Sequence, residues 1–149
     1  MRKIVLLLLI MPYCCVAQTA DSSIRKTIEQ FFQGMHQNDT SLIQQTISNT
    51  CTLKSVYRLK DGTSKVTDES MADFFRQVVS LKGTPVEERI LSWDIKTDGP
   101  MAMAWTPYQF YLNGTFYHCG VNLFVLVQSG ETWKIIAITD TRRKQGCTP

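Results

Sequence analysis

The fold is decided by residues 101–126, which read MAMAWTPYQFYLNGTFYHCGVNLFVL. Asn113-Gly114 lies between two long, nearly uncharged stretches, and this dipeptide favours the type I′ turn of a β-hairpin because both central residues need a positive φ. Counting outward from the turn predicts that Gln109 faces His118 and that Trp105 faces Asn122. Because strand side chains alternate, one side of the hairpin would then carry Trp105, Gln109, His118, Asn122 and Phe124.

The opposite side of this hairpin is more uniformly apolar and carries Ala102, Ala104, Thr106, Tyr108, Cys119, Val121, Leu123 and Val125. A sheet with two apolar faces must cover both of them. The mixed aromatic and polar side is the better candidate for a cavity wall. The outer apolar side is predicted to be an association surface, which indicates a homodimer.

The first 17 residues have the pattern of a signal peptide. Arg2 and Lys3 precede an apolar run that is too short to span a bilayer, and small residues follow it. Cleavage is predicted near residues 17–20, which leaves residues 21–149 as one exported domain, periplasmic or secreted, with no transmembrane segment. A lipid anchor on Cys14 or Cys15 is the less favoured alternative, because no small residue precedes Cys14.

Charge and cysteine content narrow the possible partners. Loss of Arg2 and Lys3 lowers the sixteen basic residues to fourteen against thirteen acidic ones, so the net charge falls from +3 to +1. A nucleic-acid surface would need basic residues spread over one face, and none is predicted. Cys51, Cys119 and Cys147 remain after cleavage, and an oxidising compartment favours one pair. Cys119 with Cys147 is the attractive pair because the tail follows a strand that neighbours the hairpin. No spacing indicates a metal site.

The other elements form an α+β order of helix, helix, strand, helix and four strands in a meander. A first helix is predicted from a cap at Asp21-Ser22-Ser23 to Asn38-Asp39, and a second begins at Thr40 or Ser41. A strand over residues 51–58 precedes a third helix that opens at Asp68-Glu69-Ser70. Residues 86–96 and 132–142 are predicted to be the strands that flank the hairpin.

This order, with Trp105-Thr106-Pro107-Tyr108, His118-Cys119-Gly120-Val121-Asn122 and Ile138-Thr139-Asp140-Thr141, resembles the nuclear transport factor 2-like superfamily. The strand motifs resemble its lumazine-binding, SnoaL-like branch in particular, over roughly residues 24–147. The resemblance implies a cone in which a curved antiparallel sheet wraps around three N-terminal helices and encloses a pocket. The superfamily contains isomerases, dehydratases, cyclases and proteins that only bind or assemble, so the fold does not settle function.

Two residues are the candidates for acid–base chemistry, His118 and Asp140. Their meeting depends on the turn at Ser129-Gly130. A two-residue loop places Ala137, Thr139 and Thr141 on the side of His118, whereas a bulged three-residue loop places Ile136, Ile138 and Asp140 there; the second is slightly favoured. Paired histidines, which dehydratases of the superfamily use, are not expected because His36 is predicted to be solvated.

The main functional prediction is a binding or accessory protein without a cofactor, which holds a small hydrophobic or aromatic ligand. Its candidate ligand-contacting residues are Trp105, Tyr108, Gln109, His118, Asn122 and Phe124. The alternative is a small cofactor-independent enzyme, an isomerase or cyclase that moves a proton through His118 and Asp140. A pocket filled by the protein's own side chains would instead indicate an interaction protein.

Overall fold

The computed structural model describes residues 14–147, and the side chains of residues 20–147. Its elements are α1 (Cys14–Gln37), α2 (Thr40–Gln44), β1 (Ile47–Arg58), β2 (Ser64–Glu69), α3 (Met71–Ser80), β3 (Val86–Ile90), β4 (Asp94–Asp98), β5 (Met101–Leu112), β6 (Thr115–Ser129) and β7 (Thr132–Thr141). The predicted α+β class is confirmed. Residues 1–13 of the predicted signal peptide lie outside the described residues, and residues 14–17 belong to α1.

Helix α1 begins upstream of the predicted cap. The Asp21 carboxylate pairs with Arg25 Nε at 3.0 Å, one turn along the helix, and Ser23 Oγ donates to the Ala20 carbonyl at 2.9 Å. Both residues therefore lie inside the helix, and the predicted start at residues 21–23 is wrong. The predicted end is confirmed, because Asn38 has a φ of 54° and Asp39 caps α2.

The strands form one curved, unclosed sheet in the order β2-β1-β7-β6-β5-β3, with β4 also paired to β5. Every described pairing is antiparallel except that of β1 with β7, the strand near the start of the chain and the last strand, which run parallel. The prediction of a wholly antiparallel sheet is thus wrong at this one ladder. Pairing between strands so distant in the chain leaves no local pattern in the sequence.

The strand predicted over residues 86–96 is two strands, and Pro107 explains the break. Strand β3 pairs as far as Tyr108, and β4 resumes opposite Trp105. Pro107 has no N–H to donate, so the ladder cannot continue past it, although its carbonyl accepts from Leu91 N at 2.8 Å. Strand β2, a polar segment that pairs with β1, was not predicted.

The core lies between the helices and one end of the inner sheet face. Phe31 and Phe32 of α1 contact Phe124 of β6, with ring centroids 6.2 and 5.8 Å apart and edge-to-face geometry. Leu126 and Ile135 lie beneath them and are fully buried. Among the helices of the described residues, none is long and apolar enough to cross a membrane.

Candidate functional site

A bulge in the hairpin determines which side chains face inward. The turn forms at Asn113-Gly114 as predicted, but the pairing shifts between Tyr111 opposite Phe116 and Phe110 opposite His118, so that Tyr117 is the extra residue. Beyond this point every predicted pair is wrong by one residue: Thr106, not Trp105, faces Asn122. Such bulges re-aim side chains, and this one places His118 on the same face as Tyr108.

Gly120 allows the inner face to pack closely at this point. It pairs with Tyr108, and a Cβ atom built on it would lie 1.7 Å from the Thr141 carbonyl oxygen and 2.8 Å from the Tyr108 ring. Any side chain here would therefore collide with backbone. Glycine lets Tyr108 lie across β6 and reach β7.

A cavity of about 190 Å³ lies over this half of the inner face. Helices α1 and α3 and the sheet line its apolar part, which includes Phe31, Phe32, Met35, Phe74, Val78 and Phe124. Its polar part is built by Glu88, Tyr108, His118, Asn122, Asp140 and Arg142. The cavity therefore combines a mainly aromatic body with one polar end.

Asp140 is held by three neighbours at the polar end. Its carboxylate accepts from Ser55 Oγ, from Arg142 Nε at 2.5 Å and from the Tyr108 hydroxyl at 3.4 Å. Its residue exposure is only 5%, whereas the Arg142 side chain is 39% exposed, so water reaches the ion pair from the arginine side. The carboxylate is a fixed structural charge whose oxygens are already engaged.

Tyr108 connects Asp140 to His118. The Tyr108 oxygen lies 3.2 Å from His118 Nε2 and 3.0 Å from the Thr141 carbonyl. Burial, followed by the charges of Glu88 and Asp140, raises the pKa of Tyr108 above its usual value, so the phenol stays neutral. His118 and Asp140 thus share a neighbour, and no direct bond between them occurs among the described contacts.

His118 is neutral at physiological pH. The pKa of the imidazole is lowered to about 4, mainly by burial and then by the positive charge of Arg142, against the opposing effect of Asp140. Its ring stacks on Phe110 with centroids 4.9 Å apart. The neutral ring has one donor and one acceptor nitrogen, and Nε2 is the one beside the Tyr108 hydroxyl.

Glu88 is a site residue that the sequence reading missed. Asn122 Nδ2 lies 2.6 Å from Glu88 Oε1. Burial raises the pKa of Glu88 to about 8, opposed by the Asn122 hydrogen bond and increased by the Asp140 charge. The sequence does contain an indication of this, because Glu88 alternates with Val86 and Ile90 along β3 and therefore shares their inward-facing side.

The remaining predicted site residues divide between the two faces. Tyr108, His118, Asn122, Phe124 and Asp140 line the cavity, whereas Trp105 and Gln109 do not. Trp105 is on the outer face and 45% exposed. Gln109 is also on that face and accepts from the Tyr111 hydroxyl at 2.8 Å. The one-residue register shift is the physical reason for both displacements.

Asp140 faces inward because of a second bulge. Strands β6 and β7 are joined by a two-residue loop, since Ser129 pairs with Thr132. The register then shifts between Val125 and Leu126, which leaves Ile136 unpaired and turns Ile138 and Asp140 inward. The extra residue that was predicted in the turn at Ser129-Gly130 is therefore within strand β7, at Ile136.

Two further features lie close to the strands that form the cavity, one on each side of the sheet. The backbone N–H of Glu88 donates to His36 Nε2 at 3.0 Å, so this histidine has a structural partner beside a second, open cavity of about 450 Å³. On the outer face a disulfide joins Cys119 to Cys147, with Cα atoms 5.8 Å apart. It holds the segment after Arg142 beside β6, where Arg143 and Cys119 exchange two backbone hydrogen bonds.

Other reactive groups lie away from this chemistry. Cys51 is a free thiol in the core, and burial raises its pKa to about 11, so it is unreactive at neutral pH. Within residues 20–147, no group of three or more His, Cys, Asp or Glu side chains is arranged to hold a metal ion.

Comparison with known proteins gives the fold. No protein-family model matches the sequence, and no curated protein matches it either. Solved structures match over most of the chain. A protein of unknown function from Mycobacterium tuberculosis has a TM-score of 0.72 at 9% identity, covering 92% of this chain and 79% of that chain. An NTF2-like protein of unknown function from Shewanella baltica has a TM-score of 0.63 at 13% identity, covering 91% and 99%.

A third similar structure is assigned as the β subunit of an aromatic-ring-hydroxylating dioxygenase from Novosphingobium aromaticivorans. Its TM-score is 0.69 at 18% identity, with 87% of this chain and 92% of that chain covered. At such identities the likeness concerns the fold, and membership of the lumazine-binding branch stays a prediction. The chain has the nuclear transport factor 2-like fold, an open cone of helices and curved sheet.

Proposed function

We propose that this chain is an exported binding protein whose inner cavity holds a small ligand with an apolar body and one polar group. The observation that carries the proposal is the cavity of about 190 Å³ with aromatic walls and a polar end. Space of about 150 Å³ is enough to bind benzene in a protein interior, and drug-sized ligands need roughly 300–1,000 Å³. The cavity thus suits one ring and is too small to enclose a steroid or a flavin.

The arrangement of the polar groups favours binding over catalysis. Asp140 already accepts hydrogen bonds from Ser55, Arg142 and Tyr108, so its oxygens are occupied before a ligand binds. His118 is a weak base because of its lowered pKa. Hydrogen-bonding groups fixed in this way orient a ligand without needing to change their protonation state.

A thermal-shift screen tests the proposal, because a ligand that binds only the folded state raises the melting temperature. Single-ring compounds such as benzyl alcohol should raise Tm more than three-ring compounds at equal concentration. Leu81→Trp, which fills the cavity, should abolish the shift. Val79→Trp is the matched control, since Val79 is 54% exposed and absent from the cavity wall. No shift with any single-ring compound would contradict the proposal.

Export rests on the sequence of residues 1–17. Expression of the full chain in a bacterium, followed by mass spectrometry of the exported fraction, should find a new N-terminus after Ala17 or Ala20. Cleavage there would leave α1 to begin near the Asp21-Ser22-Ser23 cap. Recovery of the uncleaved chain from the cytoplasm would contradict export.

A homodimer through the outer sheet face is the proposed assembly. Met101 and Trp105 are 53% and 45% exposed on this face, and exposed apolar patches commonly mark association surfaces. Light scattering should give twice the monomer mass at micromolar concentration, and Trp105→Lys should give the monomer. Val79→Lys, at an exposed site on helix α3, is the control that should leave the dimer intact. A monomer at all concentrations would contradict this part.

The second candidate function is proton transfer by a cofactor-independent enzyme. The favouring observation is the chain of contacts from His118 through the Tyr108 hydroxyl to Asp140. Proton-transfer activity should appear as hydrogen–deuterium exchange at the acidic methyl group of acetophenone in heavy water, which NMR can follow. Tyr108→Phe should remove that exchange. Exchange no faster than in buffer would leave binding as the function.

A further inference from the structure

The charges that line the cavity are unevenly balanced. Three carboxyl groups contribute to its wall, from Glu69, Glu88 and Asp140. The wall's one guanidinium among the described residues, Arg142, is bonded to Asp140. Glu69 accepts from the Gln77 amide, and Glu88 has an amide partner in Asn122. Arg142 also acts at longer range on Glu69 and Glu88, but neither of these carboxyl groups forms an ion pair with it or with another described basic side chain.

Glu88 is the carboxyl group best placed to meet a ligand. Its Oε1 atom is engaged by Asn122, whereas Oε2 has no bond to another described residue. Among the described residues, every fully buried side-chain oxygen has a hydrogen-bond partner. Because Oε2 has none, it must be accessible to solvent or to a ligand. Glu88 contributes to the walls of both adjoining cavities, so this oxygen borders open space.

Aromatic rings surround the same space. Phe110 is the cross-strand neighbour of Glu88, and Phe32 of α1 shares both cavities with it. Further rings come from Phe31, Phe74, Tyr108, Tyr117 and Phe124. The face of an aromatic ring carries negative potential and attracts an organic cation, most strongly where water is excluded.

We propose that the ligand is an organic cation, a primary amine on a body the size of one ring, whose ammonium group lies against Glu88 and the surrounding rings. The proposal rests on the binding function proposed above and specifies the ligand's chemical class. An ammonium group supplies the counter-charge that the wall lacks. An anion would add charge of the same sign as the carboxyl groups and keep Glu88 protonated, and a neutral ligand would likewise leave Glu88 in its neutral form.

Binding of the cation is coupled to release of a proton. Without ligand the Glu88 carboxyl holds its proton at neutral pH, since its pKa is raised to about 8. The ammonium group replaces that proton as the positive partner, and the proton passes to solvent. The other charged or titratable groups around Glu88 are Asp140, Arg142, Tyr108, His118, Glu69, His36 and Glu29. Both histidines have lowered pKa values, so they do not change charge above pH 6.5.

Isothermal titration with benzylamine, benzyl alcohol and benzoate, three probes of similar size, tests the proposal. Benzylamine should bind about ten- to a hundredfold more tightly than benzyl alcohol, the range expected of a charge-assisted hydrogen bond. Its affinity should rise about fifteenfold between pH 6.5 and 8, most steeply at the lower end, and then level off while the amine remains protonated. Titrations at pH 7 in two buffers of different ionisation heat should show roughly one proton released per ligand.

Two variants locate the effect. Glu88→Gln keeps the shape and the Asn122 contact, and should remove both the proton release and the preference for benzylamine over benzyl alcohol. Glu87→Gln is the control, because Glu87 pairs with Arg89 on the opposite side of the same strand. It should leave affinity and proton release unchanged.

The outcomes distinguish a failure of the amine proposal from a failure of the proposed binding function. Benzyl alcohol or benzoate binding as tightly as benzylamine would overturn the amine preference and leave cavity binding standing. A benzylamine preference that survives Glu88→Gln would overturn the role of Glu88. Failure of all three probes to bind would contradict the binding function itself.

Discussion

The inner face of the sheet has two halves. Both are built from alternate residues of the same strands, but different parts of the molecule cover them. In the closed half, around Leu126 and Ile135, the side chains are fully buried beneath α1. In the open half, around His118 and Asn122, a cavity separates the helices from the sheet. Both halves are buried to similar degrees, so burial does not distinguish packing from a site. The identity of the inward residues does, because polar side chains there bond to one another and leave space for a ligand.

The closed half should contribute most to stability. Leu126→Ala removes a fully buried side chain and should lower the free energy of unfolding by about 2–5 kcal/mol. Urea unfolding measures the change. Val127→Ala, one residue along on the half-buried outer side, is the control and should cost clearly less. Equal losses in the two variants would contradict the assignment of the two faces.

Gly120 lies in the open half, where it lets Tyr108 cross β6. Gly120→Ala should destabilise by about 3 kcal/mol, the upper part of the range for overpacking, because its Cβ would meet the Thr141 carbonyl and not a movable side chain. Far-ultraviolet circular dichroism during urea unfolding gives the value. A variant as stable as the parent would show that β6 and β7 do not approach this closely.

Within the open half, Asp140 should matter through its charge. Asp140→Asn keeps the side-chain shape and leaves Arg142 without its partner, so stability should fall by about 1–3 kcal/mol. Asp98→Asn, at an exposed site with no described ion pair, is the control and should change stability by less than about 0.5 kcal/mol. Similar values for the two would make the Asp140–Arg142 pair energetically unimportant.

Glu88 should make the open half sensitive to pH. Its pKa is raised from 4.5 to about 8 by burial, so the folded state holds a proton that the unfolded state has released. This stabilisation is complete below pH 4.5 and is lost as the pH rises through 8. The histidines act oppositely, because their lowered pKa values mean that the unfolded state binds more protons, and this effect fades as the pH rises through 6.5. Between pH 6.5 and 8 stability should therefore fall, by about 1 kcal/mol.

Denaturant midpoints from pH 6 to 9 measure this decline. Glu88→Gln should flatten it, because the amide does not titrate. Glu87→Gln should preserve it. A parent protein whose stability is constant from pH 6.5 to 8 would mean that Glu88 is already ionised in the folded state.

The smallest effect is expected on the outer face. Trp105→Ala should change the affinity for benzyl alcohol by less than about twofold, because Trp105 lies across the sheet from the cavity. Fluorescence would not report this variant well, so calorimetry is the suitable measurement. A large loss of affinity would mean that Trp105 contacts the ligand, as the sequence had predicted.

The sequence predicted the elements that local chemistry determines. Asn113-Gly114 formed the turn, Ser70 capped α3, and Asn38-Asp39 ended α1. These features depend on backbone preferences of a few neighbouring residues. The order of helices and strands, and with it the cone, followed from them and from the family resemblance.

The candidate site was predicted less well because it depends on register. Tyr117 and Ile136 are the extra residues of two bulges, and neither is a glycine or another residue that marks a bulge in advance. One bulge moved Trp105 and Gln109 to the outer face, and the other brought Asp140 inward. Glu88 was overlooked because a charged residue on a strand is normally solvated. Only the folded sheet shows that it points into a cavity.

An NMR titration with benzyl alcohol tests the central claim, that the ligand site is the open half of the inner face. The probe is neutral, so the result does not depend on the charge of Glu88. The His118 ring proton signals should shift with a single saturating curve, while the Trp105 indole N–H signal stays unchanged. Saturable movement of Trp105 with His118 unaffected, or no saturable movement of either, would contradict the account.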